Sequence, residues 1–94
     1  MKQLELEFIG RGEVRGFGFT QIKRSEKAYL YEVDCDGSIH YEVFKHKENK
    51  QFNCVSYPKT GSFGVWAWTK KTLQDAVDKF ELLSLDKEVV DGRE

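Results

Sequence analysis

The sequence predicts an α+β domain, an antiparallel meander of five to six strands with one C-terminal amphipathic helix packed on the sheet. Three observations carry that prediction. Helical spacing of apolar residues appears in one stretch only, where Leu73, Ala76, Val77, Phe80 and Leu83 fall on one face. Upstream of it, runs rich in aromatic and β-branched residues alternate with polar ones and are punctuated by turn signals. The chain has 94 residues and one proline, which suits a single small core built largely of strands. Residues 1–85 are read as one domain, and residues 86–94, where the pattern is lost, as a frayed tail.

Residues 2–9 alternate, with Leu4, Leu6 and Phe8 on one side and Gln3, Glu5 and Glu7 on the other, and predict a half-buried strand. Gly10-Arg11-Gly12 reads as a turn into a second strand over residues 13–23. Ser25 and Glu26 mark the next turn. A third strand covers residues 28–35, with Tyr29, Tyr31 and Val33 on one face and Leu30 on the other. Asp36-Gly37 is the strongest hairpin signal, because both residues tolerate the positive φ of a type I′ turn. The fourth strand, residues 38–47, sets Ile39, Tyr41 and Val43 opposite His40, Glu42 and Phe44.

Glu48-Asn49-Lys50 is a polar turn before a fifth strand at residues 52–57. Pro58 and Gly61 then place a loop at residues 58–62. A sixth strand, residues 63–68, alternates so that Trp66 and Trp68 share a face. The helix starts at Thr69 or Thr72, and Thr72 with Asp75 three positions on approximates a capping box. One helix covers one face of a sheet, so the other face is expected to be partly open and to be used, dimerised or made polar.

The net charge of −1 is unevenly placed. Residues 45–71 carry six lysines against one glutamate, a local +5 between acidic flanks. Such a patch contacts phosphate in a nearly neutral chain, although lysine-rich loops also serve solubility alone. Cys35 and Cys54 belong to no C-x-x-C pair and read as free thiols of a cytoplasmic protein; a disulfide would require strands to bring them together. The first eight residues, MKQLELEF, lack the continuous apolar run of a signal peptide, and no apolar run approaches the length of a membrane span.

Catalysis is not expected. His40 and His46 have no nucleophile at a recognisable spacing, and no G-x-S-x-G, H-E-x-x-H or phosphate loop is present. The candidate metal ligands, His40 with His46 and Asp34 with Asp36, do not form a ligand cluster, and no cofactor is implied.

The most specific motif is Arg15-Gly16-Phe17-Gly18-Phe19, which resembles the RNP1 signature of RNA-recognition motifs and the related strand of cold-shock domains. The resemblance implies that Phe17 and Phe19 stack on bases and that Arg15 contacts phosphate. It covers five positions, ends at Thr20, and does not assign the fold. The competing reading is that Phe17 and Phe19 are core residues on one face of a twisted strand. Trp66 and Trp68, with Lys70 and Lys71 beside them, carry the same pair of readings: a binding platform, or a cap over the core edge. The segment WAWTKKTLQDAVDKF resembles the end of integrase arm-binding domains, and strands followed by one helix resemble the whirly and Pur-type single-strand binders. The blocks GEVRGFGF, YLYEV, HYEVF and FGVWAWT resemble a small uncharacterised bacterial or phage-type family.

Together these features predict a non-enzymatic binding module for single-stranded DNA or RNA. Arg15, Phe17, Phe19, Trp66 and Trp68 are the expected contacts on the sheet, and Lys45, Lys47, Lys50, Lys70 and Lys71 neutralise phosphates. The alternative is a protein-interaction module in which the open sheet face or an edge strand forms a homodimer.

Overall fold

The computed structural model describes residues 3–10 and 16–85. Its main sheet has five strands, β1 (Glu7–Ile9), β2 (Gly18–Arg24), β3 (Ala28–Cys35), β4 (Ser38–Lys45) and β7 (Ala67–Lys70), in the order β1-β2-β3-β4-β7. All neighbours pair antiparallel. Between β4 and β7 the chain makes an excursion containing a separate two-stranded ribbon, β5 (Glu48–Asn49) with β6 (Cys54–Val55). The helix α1 (Leu73–Leu85) follows β7 and packs over β3, β4 and β7. The α+β meander with one C-terminal helix is therefore the fold. The strand at residues 52–57 is the exception: only its middle pairs, and it pairs outside the sheet.

Local chemistry accounts for the well-placed elements. Cys35 pairs with Ser38 across Asp36 and Gly37, whose φ angles are 54° and 94°, the two-residue turn that Asp-Gly favours. The Asp34 carboxylate accepts the Gly37 N–H at 2.8 Å and closes the turn. At the helix start the Thr72 hydroxyl accepts the Asp75 N–H at 3.2 Å. Ala76, Phe80 and Leu83 are buried and Val77 half-buried, one stripe against Ala28, Leu30 and Val43. Leu73 departs from the expected stripe and is 45% exposed. It is the first helical residue, separated from the edge strand β7 by Lys71 and Thr72, and is not part of the cluster that the helix forms with the sheet.

Strand alternation divides the sheet into two unlike faces. Ala28, Leu30 and Val43 face the helix. Phe8, Phe19, Tyr29, Tyr31, Val33 and Phe44 form the other face. That face is not open, which corrects the expectation above. Leu4 lies against it, and from the excursion Val55, Tyr57, Phe63 and Trp66 pack onto it. The β4–β7 connection is long enough to fold back, and a cluster this apolar is more stable covered than wet.

Two irregularities explain further departures. Regular pairing on the first strand begins only at Glu7, so Leu4, Leu6 and Phe8 do not share a buried side, and Leu6 is 67% exposed. In β2 a register shift between Gln21 and Lys23 leaves Ile22 as the extra residue of a bulge, exposed to solvent. The expected Gly10-Arg11-Gly12 turn and the start of the second strand fall largely on residues 11–15, outside the described residues, as does the tail at 86–94.

Candidate nucleic-acid interface

Of the ten residues singled out from sequence, Arg15 lies outside the described residues and the other nine separate into three groups in space. Phe19 is 2% exposed and Phe17 half-buried, both packed in the aromatic cluster. The Phe19 ring stacks on Phe8 at 4.7 Å between centroids and 7° between planes. At 2% exposure, stacked on Phe8 and in a T-shaped contact with Tyr57 at 5.3 Å, it has no free face for a base. The core reading of the RGFGF strand is the one that fits this burial.

Trp66 and Trp68 lie on opposite sides of the sheet, which corrects their expected common face. Alternation does not reach Trp66, because the strand starts at Ala67 and residues 62–66 form a tight turn. The Val65 and Trp66 N–H groups both donate to the Ser62 carbonyl at 3.0 Å, and Gly64, at φ 88°, donates to the Ala67 carbonyl. The turn lays Trp66 edge-on to Phe44 at 6.3 Å. Trp68 packs with the helix cluster, and the Lys79 ammonium sits 3.9 Å from its ring centroid. One face of that indole is therefore already occupied by a cation. Lys70, across from Tyr41 in β4, belongs to this helix side of the molecule, and Lys71 is exposed in the bend that follows it.

The third group is the excursion itself. Its ends meet, because the Lys45 N–H donates to the Trp66 carbonyl at 3.0 Å. The Ser56 N–H donates to the Lys47 carbonyl, extending the β5–β6 ribbon, and Asn49 Oδ1 accepts the Phe52 N–H at the ribbon's tip. Lys45, Lys47 and Lys50 are exposed. The Lys47 ammonium lies 5.7 Å from the centroid of the half-buried Trp66 ring. Phe52 and Val65 are 69% and 68% exposed. A basic segment, one partly exposed indole and two exposed apolar side chains are thus carried on one lobe.

The lobe is pinned by a residue that sequence reasoning assigned only to a strand end. The Tyr57 ring stands edge-on to Phe8, Phe19, Tyr31 and Phe44, at centroid distances of 5.5, 5.3, 5.8 and 5.0 Å. Its hydroxyl donates to Glu42 Oε1, and Glu42 Oε2 lies 3.2 Å from His40 Nε2. Burial, then the Glu42 charge and hydrogen bond, hold the Tyr57 phenol well above its ordinary range. It is a fixed neutral donor, which makes the His40–Glu42–Tyr57 chain a clamp rather than a source of a phenolate nucleophile. Tyr31 is likewise pushed up to about 12 by burial, and its hydroxyl donates to the Glu5 carbonyl. The Tyr29 hydroxyl donates to Gln3 Oε1 at 2.5 Å, tying down the N-terminal segment. The available signal for Tyr57 was an aromatic residue directly before Pro58 in an otherwise polar stretch.

Among the described residues no three His, Cys, Asp or Glu side chains are grouped to hold a metal ion, and no helix is long and apolar enough to cross a membrane. Cys35 and Cys54 are free thiols. No protein-family model, curated protein or solved structure matches this chain.

Proposed function

We propose that the protein binds single-stranded DNA or RNA through the lobe between β4 and β7, with the sheet serving as its scaffold. The observation that carries this reading is Trp66, half-buried on Phe44, with the Lys47 ammonium over its ring and Lys45 bonded to its backbone. Aromatic stacking beside a basic stretch is the combination that holds single strands without sequence preference. The four lysines of the lobe, Lys45, Lys47, Lys50 and Lys59, supply the electrostatic part. Phe17 and Phe19, packed in the aromatic core, are not contacts in this reading; Trp68, packed on the helix side away from the lobe lysines, is not one either.

Anisotropy titration of labelled mixed-sequence oligonucleotides tests this. Binding in the micromolar range or weaker is expected, falling with salt by a log–log slope of about −0.7 per phosphate contacted. Lys45→Ala with Lys47→Ala reduces the slope. Trp66→Ala costs about 1–3 kcal/mol of affinity and leaves the slope nearly unchanged.

A second reading, homodimerisation, draws on the helix-side surface beyond α1. There Ile9, Gly18, Asp34 and Ile39 form one cross-strand row, with Ile9 and Ile39 64% and 45% exposed. Sedimentation that shows a concentration-dependent dimer, insensitive to salt and lost in Ile9→Lys, supports that reading instead.

A further inference from the structure

The sheet face that carries α1 is covered only in part. Beyond the helix two cross-strand rows remain, Glu7–Thr20–Glu32–Tyr41 and Ile9–Gly18–Asp34–Ile39. Ile9 and Ile39 are exposed apolar side chains, Glu7 and Asp34 are exposed carboxylates, and Glu32 is half-buried beside them. An open cleft of about 330 Å³ lies over β1 and β2, lined by Glu7, Phe8, Ile9, Gly18, Phe19 and Thr20. A Cβ at Gly18 would meet only the Asp34 Cβ, at 3.8 Å. The missing side chain there relieves no clash; it leaves surface room. The second glycine of the RGFGF strand thus shapes a cleft, a role separate from the packing of Phe17 and Phe19.

The lobe has the opposite character. Lys45, Lys47, Lys50 and Lys59 are exposed, against one carboxylate, Glu48. At the tip of the β5–β6 ribbon Phe52 is 69% exposed, and Asn49 Oδ1 holds its backbone N–H at 3.2 Å. A fixed tip therefore presents an aromatic ring two residues from a lysine. The lobe packs on the aromatic face, whereas Glu7, Ile9 and Thr20 belong to the helix-side rows. Tip and cleft lie on opposite sides of the sheet, and each is available to a neighbour.

We propose that the cleft over Gly18 receives the ribbon tip of a second copy of this chain, with Phe52 in the cleft and the lobe lysines against Glu7, Glu32 and Asp34. The cleft is near the lower end of ligand-pocket volumes, about 300–1,000 Å³, a size for one ring rather than an extended ligand. Charge selects the arrangement. Two helix-side faces set against each other would bring like carboxylates together, whereas lobe and face are opposite in sign. Lys70, the cation of the Glu7 row, stands past Tyr41 at the far edge of the sheet from the cleft. The contact is heterologous, so each addition leaves one free tip and one free cleft, and assembly runs head to tail. The inference uses the surface of the lobe and not its affinity for nucleic acid.

Sedimentation velocity over a concentration series tests this with the wild type, Gly18→Val and the double variant Lys50→Glu, Phe52→Ser. Gly18 pairs regularly with Ile9 and Asp34, so valine suits the strand while filling the cleft. Lys50 and Phe52 are exposed, and chemical denaturation checks that both variants remain folded. The wild type should grow past a dimer at low salt and return to monomer as salt rises. Each variant alone should associate at least about tenfold more weakly, because one loses the cleft and the other sets a carboxylate against carboxylates. Mixed together, they should form a one-to-one dimer that grows no further, since Gly18→Val keeps its tip and the double variant keeps its cleft. A wild type that stays monomeric at low salt overturns the proposal. So does a dimer that neither grows nor weakens with salt, association that survives in Gly18→Val, or a mixture that stays monomeric.

Discussion

The two faces of the sheet are covered in opposite ways. The helix face is aliphatic, Ala28, Leu30 and Val43, and is closed by a regular element whose Ala76, Phe80 and Leu83 repeat at helical spacing. The aromatic face is closed by irregular chain, held by Tyr57 at its centre and by hydroxyls donating to Glu42, the Glu5 carbonyl and Gln3. A periodic cover shows its buried side in the order of its residues. An irregular cover does not, because each contact depends on a turn geometry that brings distant residues together. The same contrast separates the aromatics: Phe19 is buried in the aromatic face, Trp68 packs with the helix cluster, and Trp66 is half-buried on Phe44 in the lobe that closes the aromatic face.

Large-to-small substitutions probe the comparison most strongly. Phe80→Ala on the helix side and Phe19→Ala on the aromatic side should each cost about 3–5 kcal/mol in chemical denaturation. A Phe19→Ala protein that unfolds like the wild type would mean the aromatic face is not core.

The polar pin comes next. Tyr57→Phe keeps the ring but leaves Glu42 Oε1 without its donor, and should cost about 1.5–3 kcal/mol, the range for hydrogen bonds to charged groups. It should also change the response to alkali. The Tyr57 and Tyr31 phenols titrate above the ordinary 10.0 in the folded protein because burial disfavours their charged forms. A raised folded value means their contribution is complete below pH 10 and is lost as pH rises above it. Stability should therefore fall above pH 10, and less steeply in Tyr57→Phe. A flat profile to pH 12 would show that these phenols are not buried as described.

The smallest effects separate the helix start from the stripe. Thr72→Ala should cost about 1 kcal/mol through the lost cap. Leu73→Ala should stay within about 0.5 kcal/mol, as surface positions do. A larger loss at Leu73 than at Thr72 would restore the residue to the buried stripe.

These contrasts mark what the sequence makes legible. The Asp36-Gly37 turn, the antiparallel meander and the helix were readable because each rests on local chemistry or on a period. Leu73 was misplaced because a period does not say where a helix leaves the sheet. Trp66 and Trp68 were assigned one face because a two-residue period was carried through the turn at residues 62–66. The closed aromatic face was missed because it needs Tyr57 to fold back onto Phe44, Tyr31, Phe19 and Phe8 in four different strands, and no local pattern records that. Of the candidate interface, the lysines and Trp66 were legible by type, whereas their separation from Phe19, Trp68 and Lys70 required the fold.

The two indoles give the most direct test of the central claim, that the lobe and not the sheet receives the strand. Each carries one N–H resonance, and they lie on opposite sides of the sheet. Adding a mixed-sequence single-stranded oligonucleotide at low salt to isotope-labelled protein should shift the Trp66 indole and the Lys45, Lys47 and Lys50 amides, and leave the Trp68 indole in place. Shifts confined to Trp68 and the Ile9–Ile39 row, or no shift at protein concentrations near ~100 μM, where micromolar affinity saturates the site, would contradict it.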